Sequence, residues 1–174
     1  FARYMRGGKD STGGDAHREL LGIAISRCSS FWSSLNMWVS SGEFVGNVFG
    51  RQALPIVWDF CEVVPTSTES GGFDGAIDWV ARVVEAVPSP IACGQVQLAD
   101  ATEHYLPSES ADVFFTDPPY YDAIPYSDLS DFFLAWLKRT LPEHSLLRDP
   151  FDAVNPLSPK IREAVQDETK FFNG

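Results

Sequence analysis

The chain has 174 residues, 44% of them hydrophobic and five of them tryptophan, which suits one ordinary domain with a packed core and excludes a disordered tail. No apolar run reaches the length of a membrane-spanning helix, and the start, Phe1-Ala2-Arg3-Tyr4-Met5-Arg6, lacks the apolar stretch of a signal peptide. The net charge of −11 leaves little basic surface for binding phosphate backbones.

In chain order, residues 1–14 read as a Gly, Ser and Lys loop. A helix is expected from about Asp15 to Ser41. Leu20, Leu21, Ala24, Cys28, Phe31, Trp32, Leu35 and Trp38 form its apolar face, Asp15 caps its start and Gly42 its end. Pro55 interrupts the apolar stretch Arg51–Phe60 and argues against a central strand or an unbroken helix there. After the polar loop 66–72, a second helix fits Phe73 to Val87. Phe73, Ile77, Val80 and Val84 share one side, and Pro88 stops it.

The pattern then changes. Gln95-Val96-Gln97-Leu98 reads as a strand ending at Asp100-Ala101. Ala111 to Thr116 reads as a second strand, its apolar residues Val113-Phe114-Phe115 continuous as in a strand buried on both faces. A helix capped by Ser127 runs to about Thr140, with Leu129, Phe132, Phe133, Trp136 and Leu137 inward. Its Asp128 and Asp131 lie near the positive end, and its Lys138 and Arg139 near the negative end. A last helix is expected from Ser158-Pro159, burying Ile161, Val165 and Phe172. Residues 1–94 thus form a mainly helical region, and 95–174 an α/β segment with helices on a small, mostly parallel sheet. The cysteines Cys28, Cys61 and Cys93 form no CxxC pair. No metal is expected, and an odd number of widely spaced thiols fits a cytoplasmic protein.

Chemistry concentrates at Asp117-Pro118-Pro119-Tyr120, directly after the second expected strand. Ligands of open α/β sheets bind beyond the carboxyl ends of the strands, where Asp100 and Asp117 would both stand. Such a stiff turn can hold the amino group of a flat ring. The Asp117 carboxylate accepts one N–H, the Pro118 carbonyl accepts the other, and Tyr120 stacks on the ring. A carboxylate is too weak a base to deprotonate a neutral amine, so Asp117 would orient the group and stabilise charge. Tyr121, Asp122 and Tyr126 follow as further substrate-binding candidates. Asp-Pro also starts ordinary turns, and Pro-Pro-Tyr can simply be rigid packing.

The longer stretch Asp117–Phe133 resembles a group of bacterial and archaeal adenine-specific DNA methylases, some of which carry a zinc ribbon. The resemblance extends upstream to Asn47–Glu62, and downstream to Pro156-Leu157-Ser158-Pro159-Lys160 and Glu163. It implies a Rossmann-like fold and transfer of a methyl group from S-adenosylmethionine to the exocyclic amine of adenine in DNA. It also implies that Asp117, Pro118, Pro119 and Tyr120 form the catalytic turn, and that Asp100 and Ala101 contact the cofactor's adenine. The family's glycine-rich cofactor loop, its later strands and its zinc-ribbon cysteines have no counterpart here. The chain, which does not begin with methionine, therefore reads as a piece of a larger enzyme that would meet DNA through other surface. Cytosine amine, RNA or a protein amide are alternative acceptors. A non-catalytic module is an alternative of another class, and self-association of the fragment is a further expectation.

Overall fold

The computed structural model describes residues 12–87, 98–100, 102–103, 106–118, 120, 124–142 and 144–165. Among these there are three helices and one two-stranded antiparallel hairpin: α1 (Thr12–Ser29), β1 (Trp38–Val39), β2 (Phe44–Val45), α2 (Phe73–Ala86) and α3 (Tyr126–Thr140). Short 3-10 turns follow at Ser145–Leu147 and Lys160–Arg162.

Helix α1 carries Asp15 in its first turn and Arg27 in its last, as the helix dipole favours. Its apolar side packs against α2 and also against α3. The centre of the α1–α2 contact is Ala24, Cys28 and Ala76, with Trp32, Phe73, Ile77 and Val80 around it. The contact with α3 is tight at Gly22, where a Cβ would lie 2.8 Å from the Leu141 Cδ1.

The first helix is shorter than its apolar spacing predicts. It ends at Ser29, and the chain then turns through Phe31 and Trp32, whose amides both bond the Cys28 carbonyl, at 2.8 and 2.9 Å. Asn36 is wholly buried and organises the turn and hairpin around it. Its Nδ2 donates to the carbonyls of Ser30 (2.8 Å) and Gly46 (2.6 Å), and its Oδ1 accepts from the Ser33 amide (3.1 Å). Ser and Asn side chains that bond nearby backbone compete with the helix ladder, which is why the helical spacing does not continue as a helix. Asp15 is therefore a first-turn residue and not the cap. Gly42 lies in the hairpin connection, its amide bonded to the Val39 carbonyl at 3.2 Å. In the hairpin Trp38 opposes Val45 and Val39 opposes Phe44.

Helix α2 forms at its predicted position, with Phe73, Ile77 and Val80 inward, while Val84 stays half-exposed. Pro88, expected to stop it, lies outside the described residues. Helix α3 also forms where predicted, with Leu129, Phe132, Phe133, Trp136 and Leu137 partly buried. Phe49 meets Phe132 edge-on (5.4 Å between ring centres) and Phe133 at 5.5 Å. Pro125, not Ser127, occupies the cap position of α3.

The parallel sheet is the clear correction. The only described sheet is the antiparallel hairpin, and that is not a Rossmann-like arrangement. Val113, Phe114 and Phe115 belong to no strand and are 78%, 74% and 94% exposed. Of the other expected strand, residues 95–97 lie outside the described residues, and Leu98 is in no strand. An apolar run becomes a buried strand only if neighbouring backbone pairs with it and layers cover it. Among the described residues nothing does either for Val113–Phe115.

The last expected helix is also replaced. Among the described residues after Pro159, which end at Val165, the one element is the 3-10 turn Lys160–Arg162, with Ile161 91% exposed. Val165 is buried as expected, and Phe172 lies outside the described residues.

Candidate functional site

Segments far apart in the chain converge at the start of α3. The Ser127 amide and hydroxyl donate to the two carboxylate oxygens of Glu163, at 2.8 and 2.5 Å. Glu163 thereby caps α3 from another part of the chain, bonding an amide that the first turn of a helix leaves free and placing negative charge at its positive end. One turn on, Asp131 Oδ1 accepts the Ser158 amide at 2.8 Å, and its other oxygen pairs with Lys160 Nζ. Lys160 also reaches Asp128 at 2.7 Å, and the Ser158 hydroxyl donates to the Ser127 carbonyl at 2.9 Å. Ser127, Asp128 and Asp131 of α3 are thus tied to Ser158, Lys160 and Glu163.

Burial pushes the Asp131 carboxyl up, but the bonds from Lys160 and Ser158 outweigh it and hold the group below its ordinary value. Lys160 is shifted upward. Burial pulls it down, while the bonds to Asp128 and Asp131 raise it by more. Both directions favour the charged pair.

The same segment reaches Asp100. Arg162 Nη1 donates to Asp100 Oδ2 at 3.1 Å, lies 3.7 Å from Glu103, and stacks over the Phe151 ring at 4.5 Å. Asp100 Oδ1 accepts both the hydroxyl (2.6 Å) and the amide (2.8 Å) of Thr102. The Thr102 hydroxyl bond is the largest cause holding the Asp100 carboxyl below its ordinary value, followed by the Thr102 amide and Arg162. Asp149 completes the cluster. It accepts the amides of Phe151 (2.8 Å) and Asp152 (3.2 Å), and Asn155 Nδ2 at 2.8 Å. These bonds outweigh its burial and keep its carboxyl low as well.

Of the candidate residues named from sequence, Asp100 is buried in this network. Asp117 and Pro118 are exposed, Tyr120 is exposed, and Tyr126 is the half-exposed first residue of α3. Pro119, Ala101, Tyr121 and Asp122 lie outside the described residues. No hydrogen bond or ion pair among the described residues joins Asp100 to Asp117. Sequence reading assigned no role to Lys160, Arg162 or Glu163. Besides the resemblance that includes Lys160 and Glu163, a signal was the charge pattern after Ser158-Pro159, which answers the Asp128/Asp131 pair one helical turn apart.

The Oδ1 of Asp100 takes two donors and its Oδ2 one, which leaves the carboxylate room for one further donor. No group of three or more His, Cys, Asp or Glu able to hold a metal is present among the described residues, and no described helix is long and apolar enough to cross a membrane. No protein-family model, no curated protein and no solved structure matches the chain.

Proposed function

We propose that the chain contributes to a methyltransferase that moves a methyl group from S-adenosylmethionine to the exocyclic amine of adenine in DNA. The observation that carries this reading is the convergence at α3. The stretches on which the sequence resemblance rests lie far apart in the chain, yet Ser127, Asp128 and Asp131 bond Ser158, Lys160 and Glu163, and Arg162 next to them bonds Asp100. Motif residues that hold one another in place are what a site of fixed geometry requires.

S-adenosylmethionine, when bound, supplies an electrophilic methyl group. Asp100, already ionised, would accept one N–H of its adenine through Oδ2. The Asp117 carboxylate and the Pro118 carbonyl would accept the two N–H bonds of the target amine, concentrating negative potential where the nitrogen becomes positive. Tyr120, exposed before the α3 cluster, would stack on a base drawn out of the duplex, repaying roughly 1–3 kcal/mol of the unstacking cost. With a net charge of −11, contact with the phosphate backbone is assigned to surface other than this chain.

The test is methyl transfer from labelled S-adenosylmethionine to unmethylated DNA, with calorimetric titration of the cofactor alongside. Asp117→Ala should cost at least about 100-fold in transfer with cofactor binding intact. Asp100→Ala should weaken cofactor binding. Equal transfer by wild type and Asp117→Ala would overturn the assignment.

A second reading, a non-catalytic module, is favoured by one observation. Most of the accepting capacity of Asp100 is spent on Thr102 and Arg162. Absence of both cofactor binding and transfer would establish it.

A further inference from the structure

A cavity of about 390 Å³ lies between the end of α1, the hairpin and the start of α2, well away in sequence from the α3 cluster. That volume falls within the range of small-ligand sites. Trp79, Phe31 and Phe44 give it aromatic walls. Arg27 lines it as well, its guanidinium 5.3 Å from the centre of the Trp79 ring.

Arg27 stands out in a chain with 24 acidic and 13 basic side chains, where a carboxylate partner is easily found. Among the described residues it makes no ion pair and rests on an aromatic face instead. The hydroxyls of Thr68 and Ser70, which also line the cavity, have no hydrogen-bond partner among the described residues. Asn47 uses its Oδ1 to accept from Ser30 at 3.4 Å, leaving its Nδ2 donor uncommitted. A cation and three neutral donor groups without protein partners therefore line a cavity with aromatic walls, as sites for planar anionic ligands do. Helix α2 adds to this. Gly72 precedes it and no side chain caps it; the Phe73 amide bonds the Pro65 carbonyl at 2.8 Å, which leaves the amides of Asp74 and Gly75 without an acceptor among the described residues.

Glu69 lines the same cavity and limits what it admits. A carboxylate there repels a long run of phosphates but tolerates one anionic group beside Arg27. The space is kept open at Gly75, where an added Cβ would meet nothing within 4 Å.

We propose that this cavity binds an aromatic ring carrying a single phosphate, a ligand of the nucleoside monophosphate class, with the ring against Trp79 and the phosphate held by Arg27 and the neighbouring hydroxyls. The site is independent of the Asp117 turn and goes beyond the methyltransferase reading.

The experiment is titration of the whole chain with adenosine 5′-monophosphate, followed by calorimetry and tryptophan fluorescence, with adenosine and inorganic phosphate as separate arms. Saturable binding is expected, with each half-ligand weaker by about tenfold or more, because ring and phosphate each contribute. Gly75→Leu, which puts a side chain into open space, should remove binding while the circular dichroism spectrum is kept. Arg27→Met, a change at an exposed residue, should weaken binding about tenfold and decides the matter if the leucine variant misfolds. Asp117→Ala should leave binding unchanged, so loss of methyl transfer and loss of this site read out separately. No saturation with the monophosphate would overturn the proposal. Affinity untouched by Arg27→Met, or abolished by Asp117→Ala, would do the same.

Discussion

Gly72 shows how a single residue can be fixed by its surroundings and not by its own backbone angles. Its φ of −67° suits any residue, but a Cβ there would lie 2.0 Å from the Ser67 carbonyl oxygen. That neighbour is backbone and cannot rotate away. Gly72→Ala is therefore expected to lower stability by about 1–3 kcal/mol, read as an earlier denaturant midpoint with an unchanged slope. Gly75, three residues on and inside α2, behaves in the opposite way, because its Cβ would point into open space. Alanine there should raise stability by roughly 0.5–1 kcal/mol through helix propensity alone. Asn36 belongs to the same scale. Its three backbone bonds were invisible in sequence, since an asparagine among serines announces only a turn, not a buried hub.

At the scale of elements, the tie between α3 and the 158–163 segment has a definite pH signature. The carboxyl of Asp131 is lowered on folding, so its contribution is present above the unfolded value and is lost as pH falls through the folded one. Asp131→Asn should cost about 1–3 kcal/mol near neutral pH, because Lys160 and the Ser158 amide lose a charged acceptor. The difference from wild type should begin to shrink as pH drops below about 4, where the unfolded chain takes up the proton, and be lost as pH falls through the lower folded value. Urea denaturation of both proteins across that range checks it, and a constant difference would mean that the charge is not what matters. Helices α2 and α3 were legible because their apolar spacing, three or four residues apart, is local information. The expected C-terminal helix was not, because Lys160, Arg162 and Glu163 are held outward by partners on other segments.

The whole molecule combines a strong negative charge with exposed apolar side chains. Ile56, Trp58 and the Val113–Phe115 run all face solvent. Mutual repulsion opposes association at neutral pH and low salt, and weakens as pH approaches the sequence pI of about 4.5. We expect light scattering to show larger species as pH is lowered towards that value, and at neutral pH as salt shortens the screening length from about 30 Å at 0.01 M to about 8 Å at 0.15 M. A single small species under all these conditions would exclude self-association through the apolar surface.

The positions of α2 and α3 and the start of the core on α1 were readable from the chain alone, because helical periodicity is a property of neighbouring residues. It took the folded chain to reveal that α1 stops at Ser29, that Asp100 is bonded to Thr102 and Arg162, that Glu163 caps α3, and that Val113–Phe115 joins no sheet among the described residues. The Arg162–Asp100 and Glu163–Ser127 bonds and the unpaired Val113–Phe115 run depend on which distant backbone or charge arrives, and the residue pattern of one segment carries no record of that partner.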